Sequence, residues 1–550
     1  MTTGLSMEPS TRGGPREEPG GAAPARPVEE CRVLVVPPLP VRFAKRCVEG
    51  IRRGAPWLLR LLDPIKPALA RPYYAWVNRH ERLAPEEFER RQAKRRRQRE
   101  ALADASAAER RATLLRHVDR VRARAGRLPR RLEPAGVIQV IGTLGPGGAE
   151  RQLVTLARAV ASDPRCVRRP GDGPPGLSAA SGGGGRFRAV TMRPLTGADA
   201  HHGAALAEAA DLEVAAPTEL GPALRWLSRH RFGFVREALP QPMLADLASM
   251  LRVFRRRRPD VVHAWLDWTN VTAGVAALLL PVPRIVISTR NVAPHRFPRF
   301  HWPFYAELYR LLLEDPRVVA IANSEAGAAD YAQWLGIDPG RFRIVRNGID
   351  IQAIRRPSPE TIAAFRRGLG IADGAPLVAG AFRLDEEKAP LEFIAIAERI
   401  LRAEPEAAVV IAGDGAMRET VRAALAALGE PAAGRIHLLG AREDVPTVLG
   451  AATCCLLASH HEGTPNVLIE AQHLGCPVVA TRVGGTPETL DEGRTGLLRA
   501  AGDIDGLAED VLALIGDPER RRRLAAAGPA FVAGRFGIER MVAETIACYR

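Results

Sequence analysis

Two glutamates with seven residues between them, Glu462 and Glu470 in His461-Glu-Gly-Thr-Pro-Asn-Val-Leu-Ile-Glu470, are the strongest chemical signal in the chain. Thr464 can cap a helix and Pro465 suits a first helical position, which leaves Glu462 in the preceding loop and puts Glu470 on the helix. On a helical period Glu470 shares a face with Val467, Ala471 and Leu474, so it is not a simple solvent-facing glutamate. A buried carboxylate without a partner costs several kcal/mol, so Glu470 needs a dedicated one, either ligand hydroxyls or an internal salt bridge. A second signal is Arg383 followed five residues later by Lys388, after the apolar run PLVAGAF. Two cations on one loop can hold a doubly charged anion. Lys388 is the only lysine beyond residue 94, in a chain where only four of the 78 basic residues are lysine, which points to a compact ammonium being wanted there, with a solvated surface lysine as the other reading. A third signal is weaker. The run VIQVIG leads into Thr143-Leu-Gly-Pro-Gly-Gly-Ala-Glu150 and then a helical segment, so Gly147 and Gly148 open a helix N-terminus where free N–H groups can meet an anion. Any strand-to-helix turn of an α/β domain needs glycine for backbone reasons, and that reading stands beside the first.

These residues need a scaffold that brings distant loops together. From Gly136 onward, short apolar runs alternate with helical segments, the sequence form of parallel sheets covered by helices. VIQVIG, FRAVTM, DVVHAW, RIVIST, RVVAIAN and FRIVRN are strand candidates in the first half, and PLVAGAF, AAVVIAG, RIHLLG, TCCLLAS and PVVAT in the second. The fold class expected is α/β, with two doubly wound domains at 136–350 and 351–535 and a cleft between them at the carboxyl ends of the strands. Residues 1–30 are rich in Gly, Pro and Glu and read as disordered; 31–135 read as a basic helical extension in which Leu115, Val118 and Val121 keep an apolar stripe. The Gly/Pro-rich stretch 169–186 reads as an unstructured insertion.

The 550 residues carry a formal net charge of +16. Residues 81–133 alone hold +8, so the charge is local, and the arginine excess accompanies an equal excess of Ala, Gly and Pro. The run KRRRQR at 94–99 lacks interleaved aromatics and reads as a solvated helix face, so no nucleic-acid partner is expected. Seven cysteines without a CxxC pair indicate neither a disulfide framework nor a zinc site, and a reducing cytoplasm fits. There is no apolar leader and no apolar run long enough to span a bilayer. The aromatic and basic stretch from Trp57 to Trp76 suits either peripheral contact with an anionic membrane or a cap on the first domain.

From about Gly136 to the end the chain resembles the retaining glycosyltransferases of family 4, group 1, which have the GT-B fold. The resemblance rests on GPGGAERQ, RPDVVHAW, Asn323-Ser324, NGID at 347–350, Arg383 with Lys388, AGDG at 412–415, EGTPNVLIEA and VGGTPE at 483–488. It implies that Arg383 and Lys388 bind the donor diphosphate, that Glu462 contacts the transferred sugar, and that Glu470 binds the ribose. Pro465 has no N–H, so phosphate contacts fall on Asn466 and Val467. Where many relatives have a histidine after the fourth strand this chain has Ser288-Thr-Arg-Asn291, which makes Arg290 and Asn291 the acceptor-side candidates. His263 fits either an acceptor contact or a core histidine. Residues 536–550 resemble the terminal helix that crosses back to the first domain.

The expected activity is transfer of a sugar from a nucleotide sugar to a carbohydrate or lipid-linked acceptor, with retention, in bacterial surface polysaccharide assembly. No cofactor and no metal site are expected. A nucleotide-sugar epimerase on the same fold is an alternative, but no paired acid and base for proton abstraction is visible. An inactive partner subunit is another, and the intact Arg383, Lys388, Glu462 and Glu470 speak against it.

Overall fold

A computed structural model describes residues 112, 115–123, 125, 136–162, 187–215, 219–429 and 432–550. The reading of 1–30, most of that of 31–135, and the insertion at 169–186 lie outside the described residues.

Among the described residues thirteen strands form two sheets. The first contains β1 (Val137–Ile141), β2 (Arg188–Thr191), β3 (Asp211–Val214), β4 (Val261–Trp265), β5 (Arg284–Thr289), β6 (Val318–Ala322) and β7 (Phe342–Ile344), in the order 3-2-1-4-5-6-7. The second contains β8 (Leu377–Ala381), β9 (Ala408–Ala412), β10 (Ile436–Gly440), β11 (Cys454–Leu457), β12 (Val478–Thr481) and β13 (Gly496–Arg499), in the order 10-9-8-11-12-13. All pairings are parallel. In each sheet the order reverses beside the first strand of that half, and every strand's carboxyl end lies at one edge, where ligands of open sheets bind. The fold class is therefore the α/β, two-sheet architecture that the alternating pattern implies. β3 and β13 are additions to the strands expected.

The strands are apolar along their length because helices cover both faces: β1, β4, β9, β11 and β12 are buried throughout. Residues 115–123, helix α1, lay Val118 into the first domain's core, with Leu115 packed against it. Helix α2 (Gly148–Ser162) follows β1 and buries Leu153, Leu156 and Val160. The last helix, α6 (Ile538–Tyr549), packs Met541, Val542, Ile546 and Tyr549 into the first domain, against a cluster that includes Val137 and Leu156. The two chain crossings between the halves run side by side, with the Ile349 N–H donating to the Phe536 carbonyl at 2.8 Å.

Candidate active site

The loop after β8 carries Arg383 and then a single 3-10 turn, Glu386–Lys388, before helix α4 (Pro390–Ala403). Ala389 joins them at φ 49°, a left-handed conformation in a residue with a side chain. That kink directs Lys388 inward. Its Nζ lies 2.7 Å from Oε1 of Glu462, and the Ser459 hydroxyl donates to the same oxygen at 2.8 Å. Glu462 is buried, yet both bonds fall on Oε1, and Oε2 has no hydrogen-bond partner among the described residues. Arg383 is half exposed and is steadied by carboxylates of its own loop, Asp385 at 3.2 Å and Glu387 at 2.8 Å.

Helix α5 (Asn466–His473) carries Glu470, which is buried on the face shared with Ala471. It begins one residue later than the capping pattern implies. Pro465 is the cap and Asn466 the first helical residue, while the Thr464 hydroxyl donates to the Asn323 carbonyl of the first domain at 2.9 Å instead of capping. The amides of Asn466 and Val467 thus head the helix. The partner of Glu470 is Arg151, from the second turn of α2: Nη1 donates to Oε1 at 2.6 Å across the domain boundary. The internal salt bridge is therefore what this structure realises. Burial raises the Glu470 carboxyl above its ordinary range, and the Arg151 charge opposes that rise. Oε2 of Glu470, like that of Glu462, has no partner among the described residues.

The glycine-rich turn is occupied by its own helix. Glu150, the third residue of α2, folds back so that its Oε2 fills the space a Cβ on Gly147 would need, and its carboxylate takes its own backbone N–H at the head of the helix. Burial pushes the Glu150 carboxyl up, while its own backbone N–H and the Arg383 charge pull it down. Gly148 faces Asn466 across the boundary; a Cβ there would stand 3.4 Å from the Asn466 amide nitrogen. The turn and the head of α5 therefore meet, but the anion seat at Gly147 and Gly148 holds a carboxylate.

Arg290, directly after β5, bonds the Asn347 side chain at 2.9 Å, and Asn347 bonds Asn466 at 2.7 Å. The Arg290 guanidinium lies over the Trp265 ring, 4.9 Å from its centre, and burial lowers it to about 9. At Gly463 the domains approach closely: any side chain there would run into the Arg290 carbonyl. Asn291 turns its carbonyl oxygen back to the Val292 N–H. His263 takes a core position in this structure. It lies in the middle of β4, 1% exposed, bonded through Nδ1 to the Tyr549 hydroxyl at 2.9 Å and stacked on Trp265. Alternation along the strand turns it to the face that α6 covers.

Sequence reasoning passed over Glu150, Arg151, Asn347 and Ser459. A signal existed for Arg151: it stands four residues after Gly147, one helical turn into α2, on the face that looks at the turn. Asp503 and Asp505 form an Asp-x-Asp pair, but Asp503 caps the helix Ile504–Gly516 through the Gly506 N–H and Asp505 pairs with Arg399, so both serve structure.

Two facing Rossmann-like domains with cations, buried carboxylates and a helix head converging at their boundary define a GT-B glycosyltransferase. The comparisons agree. Residues 376–517 match the model for glycosyl transferases group 1, and residues 200–353 that for glycosyltransferase family 4. The Vi polysaccharide biosynthesis protein VipC/TviE of Salmonella typhi is 30% identical over 415 residues, 73% of this chain and 69% of that protein. A 2-deoxystreptamine N-acetyl-D-glucosaminyltransferase of Streptomyces fradiae is 29% identical over 55% of this chain and 73% of its own length. HepE of Anabaena, solved with UDP-glucose, has the same fold: TM-score 0.58, 20% identity, covering 75% of this chain and 98% of that one. The chain belongs to the glycosyl transferases group 1 family. Among the described residues, no helix is long and apolar enough to cross a membrane.

Proposed function

We propose that the protein transfers a sugar from a nucleoside diphosphate sugar to a carbohydrate or lipid-linked acceptor, with retention, in bacterial surface polysaccharide assembly at the cytoplasmic side of the membrane. One observation carries this reading: near the domain boundary two buried carboxylates each tie one oxygen to a cation and, among the described residues, leave the other without a hydrogen bond. An open oxygen on Glu470 suits a ribose hydroxyl, and one on Glu462 suits a hydroxyl of the transferred sugar. HepE, with UDP and UDP-glucose in its crystals, and the Vi polysaccharide protein make the donor class and the pathway reasonable extensions.

As the bond from the sugar's anomeric carbon to the diphosphate breaks, negative charge collects on the departing phosphate. Arg383, Lys388 and the amides of Asn466 and Val467 meet that charge with groups already in place. The acceptor hydroxyl forms the new bond on the same face of the sugar, and its proton passes to the departing phosphate oxygen. The cations take the part that a divalent ion takes elsewhere. Transfer is therefore expected to persist in excess EDTA, and activity abolished by chelator and restored by Mn2+ would overturn the assignment. The direct test is a thermal-shift screen with UDP-, GDP- and ADP-sugars: one of them raises the midpoint of the wild type and not of Lys388→Met. A flat response to all three would reject the donor class.

A further inference from the structure

The aromatic side chains of the first domain are unevenly placed. Among the described residues four large hydrophobic side chains are exposed, and the two aromatic ones, Phe300 at 54% and Trp302 at 41%, stand two positions apart in the segment Phe297 to Ala306 that leads away from the cleft loop of Arg290. Trp302 is exposed yet held. Its ring lies 5.5 Å from Phe304 at 29° and 5.8 Å from Trp268. Trp268 is fixed in turn: its Nε1 donates to Asp246 at 2.7 Å, and Asp246 takes both Arg193 nitrogens, at 2.9 and 3.0 Å. Helix α3 (Asp267–Leu278), which carries Trp268, is pinned at its first residue, where Asp267 accepts from Tyr309 at 2.6 Å and Tyr331 at 2.5 Å.

These groups come from three places that the parallel sheet brings to one edge. Arg193 follows β2, Trp268 follows β4, and Trp302 lies in the segment after β5. That is the carboxyl edge that also presents Arg290 to the cleft, so the aromatic surface continues the site along the same domain. A partly exposed cluster of packed rings, bordered by a half-exposed guanidinium and its carboxylate, is what a pyranose needs: its C–H face stacks on a ring while its hydroxyls reach planar donors and acceptors. A lipid surface would not call for the Arg193 and Asp246 pair beside the rings.

We propose that Trp302, Trp268 and Phe304 form a subsite for a sugar ring of the acceptor, one or more residues away from the bond being made, so that the enzyme recognises an oligosaccharide and not only its terminal unit. This rests on the proposed transferase reading for the meaning of the word acceptor, but the binding site itself does not need the donor to be right. The test is binding of the full chain to an immobilised array of bacterial surface glycans, with UDP, GDP and ADP titrated separately by calorimetry. The wild type is expected to bind at least one glycan, Trp302→Ala to bind it about tenfold or more weakly, and Trp302→Phe to recover part of the loss. Nucleotide affinity should be the same in all three proteins. Loss of nucleotide binding in the wild type, with glycan binding intact, would count against the donor site and not against the subsite. A wild type that binds no glycan, or equal glycan binding by Trp302→Ala, would overturn the proposal. So would co-sedimentation with phosphatidylglycerol vesicles that depends on Trp302, which would make this a lipid contact.

Discussion

At the scale of single residues, the two glutamates share a design and differ in what surrounds them. Glu462 sits with Lys388 and Ser459 inside the second domain; Glu470 reaches out of it to Arg151 of the first. If Glu470 holds the ribose, Glu470→Gln weakens charge-assisted hydrogen bonds of about 1.5 to 3 kcal/mol, and free nucleoside diphosphate should bind about tenfold more weakly or worse. If Glu462 acts where the sugar carries developing positive charge, Glu462→Gln should leave that affinity nearly unchanged while turnover falls about a hundredfold. Calorimetry and turnover on the two variants decide between these roles; equal binding losses would refute the division. Arg151→Ala makes a separate demand. It leaves Glu470 buried without its cation, and because Arg151 is itself partly exposed the cost should be about 1 to 2 kcal/mol, read as a lower urea midpoint. Spacing on the chain made both glutamates legible, along with the need of Glu470 for a partner. It did not make Arg151 legible as that partner, because the pairing spans 319 residues and depends on how the domains meet.

At the scale of elements, central strands announced themselves as apolar runs because both their faces are covered. The two that did not, β3 and β13, are edge strands: DLEV carries two acids in four residues, and GLLR begins with glycine and ends with arginine. β3, exposed or partly so along its length, does not need the pattern of a core strand, whereas β13 is buried but offers only two apolar side chains between its glycine and its arginine. Helix α2 shows a different gap. Its glycine turn reads as an anion seat, but Glu150 takes the helix head for itself. This arrangement has a pH signature. Burial raises the Glu150 carboxyl in the folded protein above its ordinary 4.5, so the folded state binds the proton more tightly than the unfolded chain. The associated stability is complete below about 4.5 and is lost as pH rises through the higher folded value. Glu150→Gln keeps a side chain able to cap α2 and removes the ionisation. Its unfolding free energy should exceed that of the wild type at neutral pH, with the gap closing below 4.5. A gap that does not vary with pH would show that the carboxyl titrates alike in the folded and unfolded chain, and a wild type more stable than Glu150→Gln at neutral pH would show that the carboxylate is stabilised as an anion, by Arg383 in particular.

At the scale of the whole molecule, the domains are tied twice, by the boundary contacts around Gly463 and by the paired crossings. Beside the Ile349 and Phe536 bond, the Arg540 guanidinium grips the carbonyls of Arg346 and Asn347 at 3.1 and 3.0 Å, so α6 holds the first crossing as well as being the second. Asn347, the residue so held, is also the one that bonds Arg290 and Asn466 across the boundary. The position of α6 on the first domain therefore bears directly on how the cleft residues meet. Its last buried contact is the Tyr549 hydroxyl, which accepts from Gln139 at 2.8 Å and bonds His263 at 2.9 Å, while Gln139 also accepts from Trp265, the ring beneath Arg290. The chain from Tyr549 to Arg290 is thus continuous: hydroxyl, amide, indole, guanidinium. Tyr549→Phe keeps the ring and removes one oxygen, leaving the Gln139 amide and the His263 nitrogen buried without their partner, at about 1 to 3 kcal/mol. The midpoint of thermal unfolding should fall by about 2 to 4 °C for each kcal/mol. Nucleoside diphosphate affinity should stay near the wild-type value, since Arg383, Lys388 and Glu470 lie in other elements, while turnover should drop if Trp265 no longer supports Arg290 where the acceptor approaches. A lower midpoint with full turnover would confine the network to stability, and an unchanged midpoint would mean that the tyrosine hydroxyl does not hold α6 in place.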